Sequence, residues 1–188
     1  MITELAQLWL PILLSATAIF FLSFLMWMVL PHHRGDWKPL PDEDATMKSL
    51  RESGVGPGQY AFPHCSHPSQ MKDPEWMAKY NAGPKGFLTL RPEGPESMGK
   101  SLCLSFVVNV VSTVFVAYVA IMGIAPGADG RMVFRFVATV AFLAQSLALA
   151  WSPIWFGRTW SSIGREMFDG LIYALATGGV FCLLWPDA

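Results

Sequence analysis

The sequence predicts an all-α membrane protein: four transmembrane helices with a small α+β cytoplasmic insert between helices 1 and 2. Three observations carry this. Hydrophobic residues make up 53% of the 188-residue chain and charged residues only 14%, a balance typical of chains solvated largely by lipid. The apolar residues gather into four runs, about 8–30, 102–124, 133–151 and 167–185, each near the roughly 20 residues that a bilayer core requires. The polar remainder collects in one segment, which also holds most of the prolines. The predicted organisation is therefore a first span with a short outer N-terminus (1–31), an insert (32–101) and three further spans (102–188).

The first run follows "MITELAQ", which contains Glu4 and no lysine or arginine. It is also longer than the apolar region of a signal peptide, so it is expected to remain in the mature chain. Nine lysines and arginines, from Arg34 to Lys100, lie between the first two runs, and Arg158 and Arg165 lie between the last two; only Arg131 and Arg135 lie at the other face. Basic residues near span ends stay in the cytoplasm, which places the insert there and both termini outside. Trp9 and Trp185 fit one interfacial belt, and Trp27, Trp151, Trp155 and Trp160 the other. In a bacterium these features describe a multi-pass protein of the cytoplasmic (inner) membrane. The stretch "WSPIWFGRTWSSIGRE" (151–166) is expected to be a cytoplasmic connection at headgroup level, in preference to a re-entrant element, which would need protein or water around it.

Within the insert, "LPDEDATMKSLRESG" predicts a helix capped by Asp42, with Glu43 and Asp44 in the positive first turn and Gly54 just past its end. "DPEWMAKYNAG" predicts another, with Asp73 as the cap, Pro74 in the first turn and Gly83 as the stop. "QYAF" (59–62) and "GFLTLR" (86–91) have strand composition and can pair. A two-stranded sheet is marginal alone, so the insert should pack on the bundle, on a partner or on a second copy.

The segments "LWLPILLSA" (8–16), "LPDED" (40–44), "PGQYAFP" (57–63), "GPESMGKSL" (94–102) and "DGLIYAL" (169–175) together resemble a family of uncharacterised bacterial four-helix integral membrane proteins. The resemblance runs the full length of the chain. It implies a four-helix membrane protein and, since that family has no assigned activity, no catalytic residues.

All four histidines lie in the insert, as "HH" at 32–33 and in "FPHCSHPSQ" (62–70). His32, His33, Asp36, His64, Cys65 and His67 together offer enough donors for zinc or copper. The spacing lacks the paired ligands of a strong zinc motif. The favoured expectation is that His32 and His33 sit at the membrane interface, while His64 and His67 hydrogen-bond within a proline-rich turn. Cys65 has histidine neighbours that could activate its thiol, but adjacency alone does not make a nucleophile.

No histidine falls in a span, so intramembrane haem b is not expected. Asp169, near the inner end of helix 4, is expected to meet Arg165 or Arg158. Transport would require charged or broken-helix elements near the midplane, and none is evident. Ser23, Asn109 and Gln145 lie at similar depth and could form one hydrogen-bonded layer. Ser105, Asn109, Thr113 and Ala117 on helix 2, and Gly170, Ala174 and Gly178 on helix 4, recur every four residues as packing stripes; the same residue types could line a quinone or lipid cleft.

A net charge of -1 argues against a nucleic-acid partner. The reading that follows is a non-enzymatic membrane protein, a homo-oligomer or the structural or accessory subunit of a membrane complex. The alternatives are a metal-dependent or redox enzyme with its His/Cys site at the cytoplasmic surface, and a small-molecule or lipid transporter.

Overall fold

The computed structural model describes residues 2–187. Four helices are long and apolar enough to cross a membrane: Trp9–Val29, Met98–Gly123, Gly130–Phe156 and Trp160–Leu184. A two-stranded sheet lies between the first two in sequence. This is the predicted fold class. The chain divides into two compact units, a helical one (1–36, 97–151 and 159–188) and a second formed by 37–96 with 152–158.

The helical unit opens with α1 (Ile2–Gln7) and α2 (Trp9–Phe24). Pro11 falls in the first turn of α2, where its missing N–H costs no helical bond. The last turn of the first span, Leu25–Val29, widens to a π-helix, closed by Leu30 N–H donating to the Leu25 carbonyl at 3.0 Å. A 3-10 turn, Pro31–His33, follows directly.

After the insert, α5 (Met98–Gly123) starts before its apolar run because the Ser97 hydroxyl accepts from Lys100 N–H and caps it. The third span was expected to be one helix over 133–151 but is broken. It runs as α6 (Gly130–Gln145), leaves helical geometry at Ser146 and continues as a 3-10 turn (Leu147–Ala150) and α7 (Trp151–Phe156). Pro153 supplies a cause, since an uninterrupted helix would drive its ring against the carbonyl four residues earlier. The expectation of one uninterrupted helix over 133–151 is thereby corrected. Residues 151–166, expected as a connection, are almost wholly helical: α7, a turn at Gly157 and the start of α8 (Trp160–Leu184).

The core of this unit is formed by Leu8, Ile12, Val116, Ala120, Val133 and Phe181 among others. Most of each span's surface is left outward, with only 17% to 33% of each apolar window buried, as suits helices solvated by lipid. Gly178 and Gly170 bring α8 against the third span. A Cβ on Gly178 would stand 2.9 Å from Ala138 Cβ and 3.0 Å from the Phe134 carbonyl oxygen, and one on Gly170 would overlap Ser146 Oγ. With buried Ala174 between them, these glycines form the face by which α8 packs. On α5 the stripe is split: Thr113 and Ala117 are buried, whereas Ser105 is exposed.

The hydrogen-bonded layer expected from Ser23, Asn109 and Gln145 does not form. Ser23 Oγ donates to the Phe20 carbonyl of its own helix, Thr113 Oγ1 takes the Asn109 carbonyl, and Gln145 Oε1 is buried without a partner among the described residues. In apolar surroundings the nearest acceptor for a hydroxyl is the preceding turn of its own helix.

In the second unit, α3 (Glu43–Glu52) is capped by Asp42 accepting from Ala45 N–H at 3.0 Å, and α4 (Pro74–Ala82) by Asp73 accepting from Glu75 N–H at 3.0 Å. Gly54 and Gly83 take positive φ at the two exits, where a side chain would be strained. β1 (Gly58–Phe62) pairs antiparallel with β2 (Gly86–Leu90), Tyr60 opposite Leu88. No residue of 37–96 is fully buried.

Candidate functional site: a buried histidine–carboxylate cluster

The first span ends where the helical chain turns sharply, and that turn places two imidazoles against α8. Leu30 is extended, Pro31 opens the 3-10 turn, and His32 and His33 follow at once. Asp36 N–H donates to the His33 carbonyl at 3.0 Å, which folds Asp36 back toward the His33 ring. Trp27, on the π-helical turn, lies flat on that ring, with centroids 3.9 Å apart and planes 6° from parallel.

The polar contacts form one chain. His32 Nε2 meets Asp169 Oδ1 at 2.9 Å, and His33 Nε2 meets Asp169 Oδ2 at 2.8 Å. On its other nitrogen, His33 Nδ1 meets Asp36 Oδ2 at 2.6 Å. Arg165 closes the chain, donating to Asp36 Oδ1 from Nε at 2.9 Å and also from Nη2. Arg165 and Asp169 lie one turn apart on α8, on the same face, so one segment of helix presents both to the His33 turn.

The side chains of His33 and Asp169 are 5% and 2% exposed and that of Asp36 is 2% exposed, while His32 keeps 25%. Burial alone lowers the His33 pKa, but hydrogen bonds to Asp36 and Asp169 and the two negative charges outweigh it, and the imidazole is raised above its usual value. Burial likewise pushes the Asp36 carboxyl up, yet the bonds from His33 and Arg165 and their charges hold it below the usual carboxylate range. A ring whose two nitrogens both face carboxylates is at its best as a double donor. The cluster can therefore hold a proton between two acids, or present imidazole nitrogens to a cation.

Of the residues singled out in the sequence, the structure gathers His32, His33 and Asp36 here. His32 and His33, expected at the membrane interface, turn their rings onto Asp169 of α8. One correction follows: Arg165, expected with Arg158 as an alternative partner of Asp169, goes to Asp36. His64, Cys65 and His67 belong to the second unit, where the turn is knitted locally as expected. Cys65 Sγ donates to the His67 carbonyl at 3.2 Å, Ser66 Oγ lies 3.3 Å from His64 Nδ1, and Trp76 Nε1 donates to the His64 carbonyl at 3.1 Å. Among the described residues, the group whose donor atoms converge closely enough for a metal ion is His32, His33 and Asp169. Sequence reasoning omitted Asp169 from that set. The signal was present: an acid inside an apolar run requires a partner, and the end of the first span lies at the same depth.

Comparison of the chain with protein-family models, with curated proteins and with solved structures finds no match.

Proposed function

We propose that the protein is a non-enzymatic, multi-pass protein of a bacterial cytoplasmic membrane, a homo-oligomer or the structural or accessory subunit of a membrane complex. Its termini face outward and its insert faces the cytoplasm. One observation carries this reading: residues 37–96 of the insert are folded but none of them is buried. Its helices are capped and its strands paired, yet Trp37 is 79% exposed and Phe87 56%. A small unit with no core of its own holds its shape by packing on something else. The exposed aromatics are the residue types that anchor protein interfaces. Ser105, left uncovered on α5, is the small residue that a neighbouring helix can approach closely. The asymmetry of basic residues supports the orientation.

Light scattering coupled to size exclusion, on the full chain in mild detergent, tests the reading. The expected mass is that of two or more copies, or of one copy with a co-purifying membrane partner. The double variant Trp37→Glu with Phe87→Glu should shift the particle toward monomer. A wild-type monomer with no companion contradicts the reading.

A further inference from the structure

We propose that His32, His33 and Asp169 hold a divalent first-row transition-metal ion, with Asp36 and Arg165 orienting His33 from behind.

The donor atoms already converge. One nitrogen of His32, one of His33 and an Asp169 oxygen all lie within 4.8 Å of one another, and both Nε2 atoms point at the same carboxylate at 2.8 to 2.9 Å. Two ligands of a tetrahedral ion with bonds of about 2.0–2.1 Å stand about 3.4 Å apart, so each close nitrogen–oxygen pair opens by about half an ångström while the widest pair, within 4.8 Å, draws in. Imidazole and carboxylate together suit zinc, iron or copper better than calcium or magnesium.

The surroundings have the features of a supported site. A ligating histidine is normally fixed through its second nitrogen by a carboxylate, and His33 Nδ1 meets Asp36, itself held by Arg165. Trp27 stacked on the ring removes its remaining freedom. Charge is also suitable. Two carboxylates, Asp36 and Asp169, face the single guanidinium of Arg165, so the buried group accommodates an added cation. Partly exposed His32 leaves a path for entry. Three protein ligands leave a coordination position open.

The ligands come from opposite ends of the sequence, two from the turn after the first span and one from the last. An ion here ties those spans together and stabilises the folded chain by mass action.

The test uses the full chain in mild detergent, purified without a histidine tag, stripped with a chelator and titrated with Zn2+ alone. One Zn2+ per chain should bind and raise the unfolding temperature, with an X-ray absorption first shell of nitrogen and oxygen and no sulfur. His32→Ala and Asp169→Asn should each weaken binding at least tenfold, and Asp36→Asn about tenfold. The triple variant His64→Ala, Cys65→Ser, His67→Ala should bind as the wild type does. If Asp169→Asn fails to fold, the partly exposed His32→Ala decides alone. The proposal is overturned by a stoichiometry well below one, by unchanged binding in His32→Ala, by sulfur in the first shell, or by loss of the ion in the triple variant.

Discussion

Gly170 is where one missing carbon decides how closely two spans approach. A Cβ built there would sit 1.8 Å from Ser146 Oγ but 3.1 Å from Ser146 Cβ. The conflict is therefore with a single hydroxyl oxygen, at the residue where the third span breaks. Overpacking of this kind costs about 1–3 kcal/mol. Gly170→Ala should lower the unfolding temperature in detergent, and Ser146→Ala in the same chain should recover most of the loss; a double-mutant cycle isolates the coupling. Equal losses with and without the Ser146 hydroxyl would show that the close approach lies elsewhere. At this scale the sequence told much about Gly170, Ala174 and Gly178, because their spacing puts them on one helix face wherever the helix packs. It told less about His33. The link to Asp36 spans three residues, but the links to Asp169 and from Arg165 to Asp36 span well over a hundred. Of the two nearby cations expected to meet Asp169, Arg165 goes instead to Asp36.

The elements divide by how local their causes are. Asp42, Asp73, Gly54 and Gly83 act within one turn of themselves, and the helices they bound were readable from composition. The starts of α5 and α8 were not, because the apolar run marks the lipid-facing part of a span and both helices begin before it. The break at Ser146 was missed although Pro153 signals it, since hydropathy averages across a break. For α3, ten residues long with none buried, packing contributes little and helix length alone is insufficient. Its cap therefore matters more than a cap on a span. Asp42→Ala should cost about 1 kcal/mol, read as roughly fivefold faster amide exchange over α3, while Asp42→Ser should stay near wild type. Unchanged exchange in Asp42→Ala would mean that tertiary contacts, not the cap, hold the helix.

For the whole molecule, the four apolar runs were enough to define the fold class, because lipid tolerates only backbones that satisfy their own hydrogen bonds. The exposure of the insert's aromatics was not readable from the sequence: exposure is a property of the folded surface, and Trp37 and Phe87 look in sequence like any core residue. Four crossings require both termini on one side and the insert on the other. A chain with Cys65, Cys103 and Cys182 replaced by alanine, carrying one new cysteine at a time, tests this with a membrane-impermeant maleimide on intact cells. Thr3→Cys and Asp187→Cys should label from outside, and Ser69→Cys only after the membrane is opened. Labelling of Ser69→Cys together with Thr3→Cys, or of only one of the two terminal sites, would contradict a four-span protein with a cytoplasmic insert.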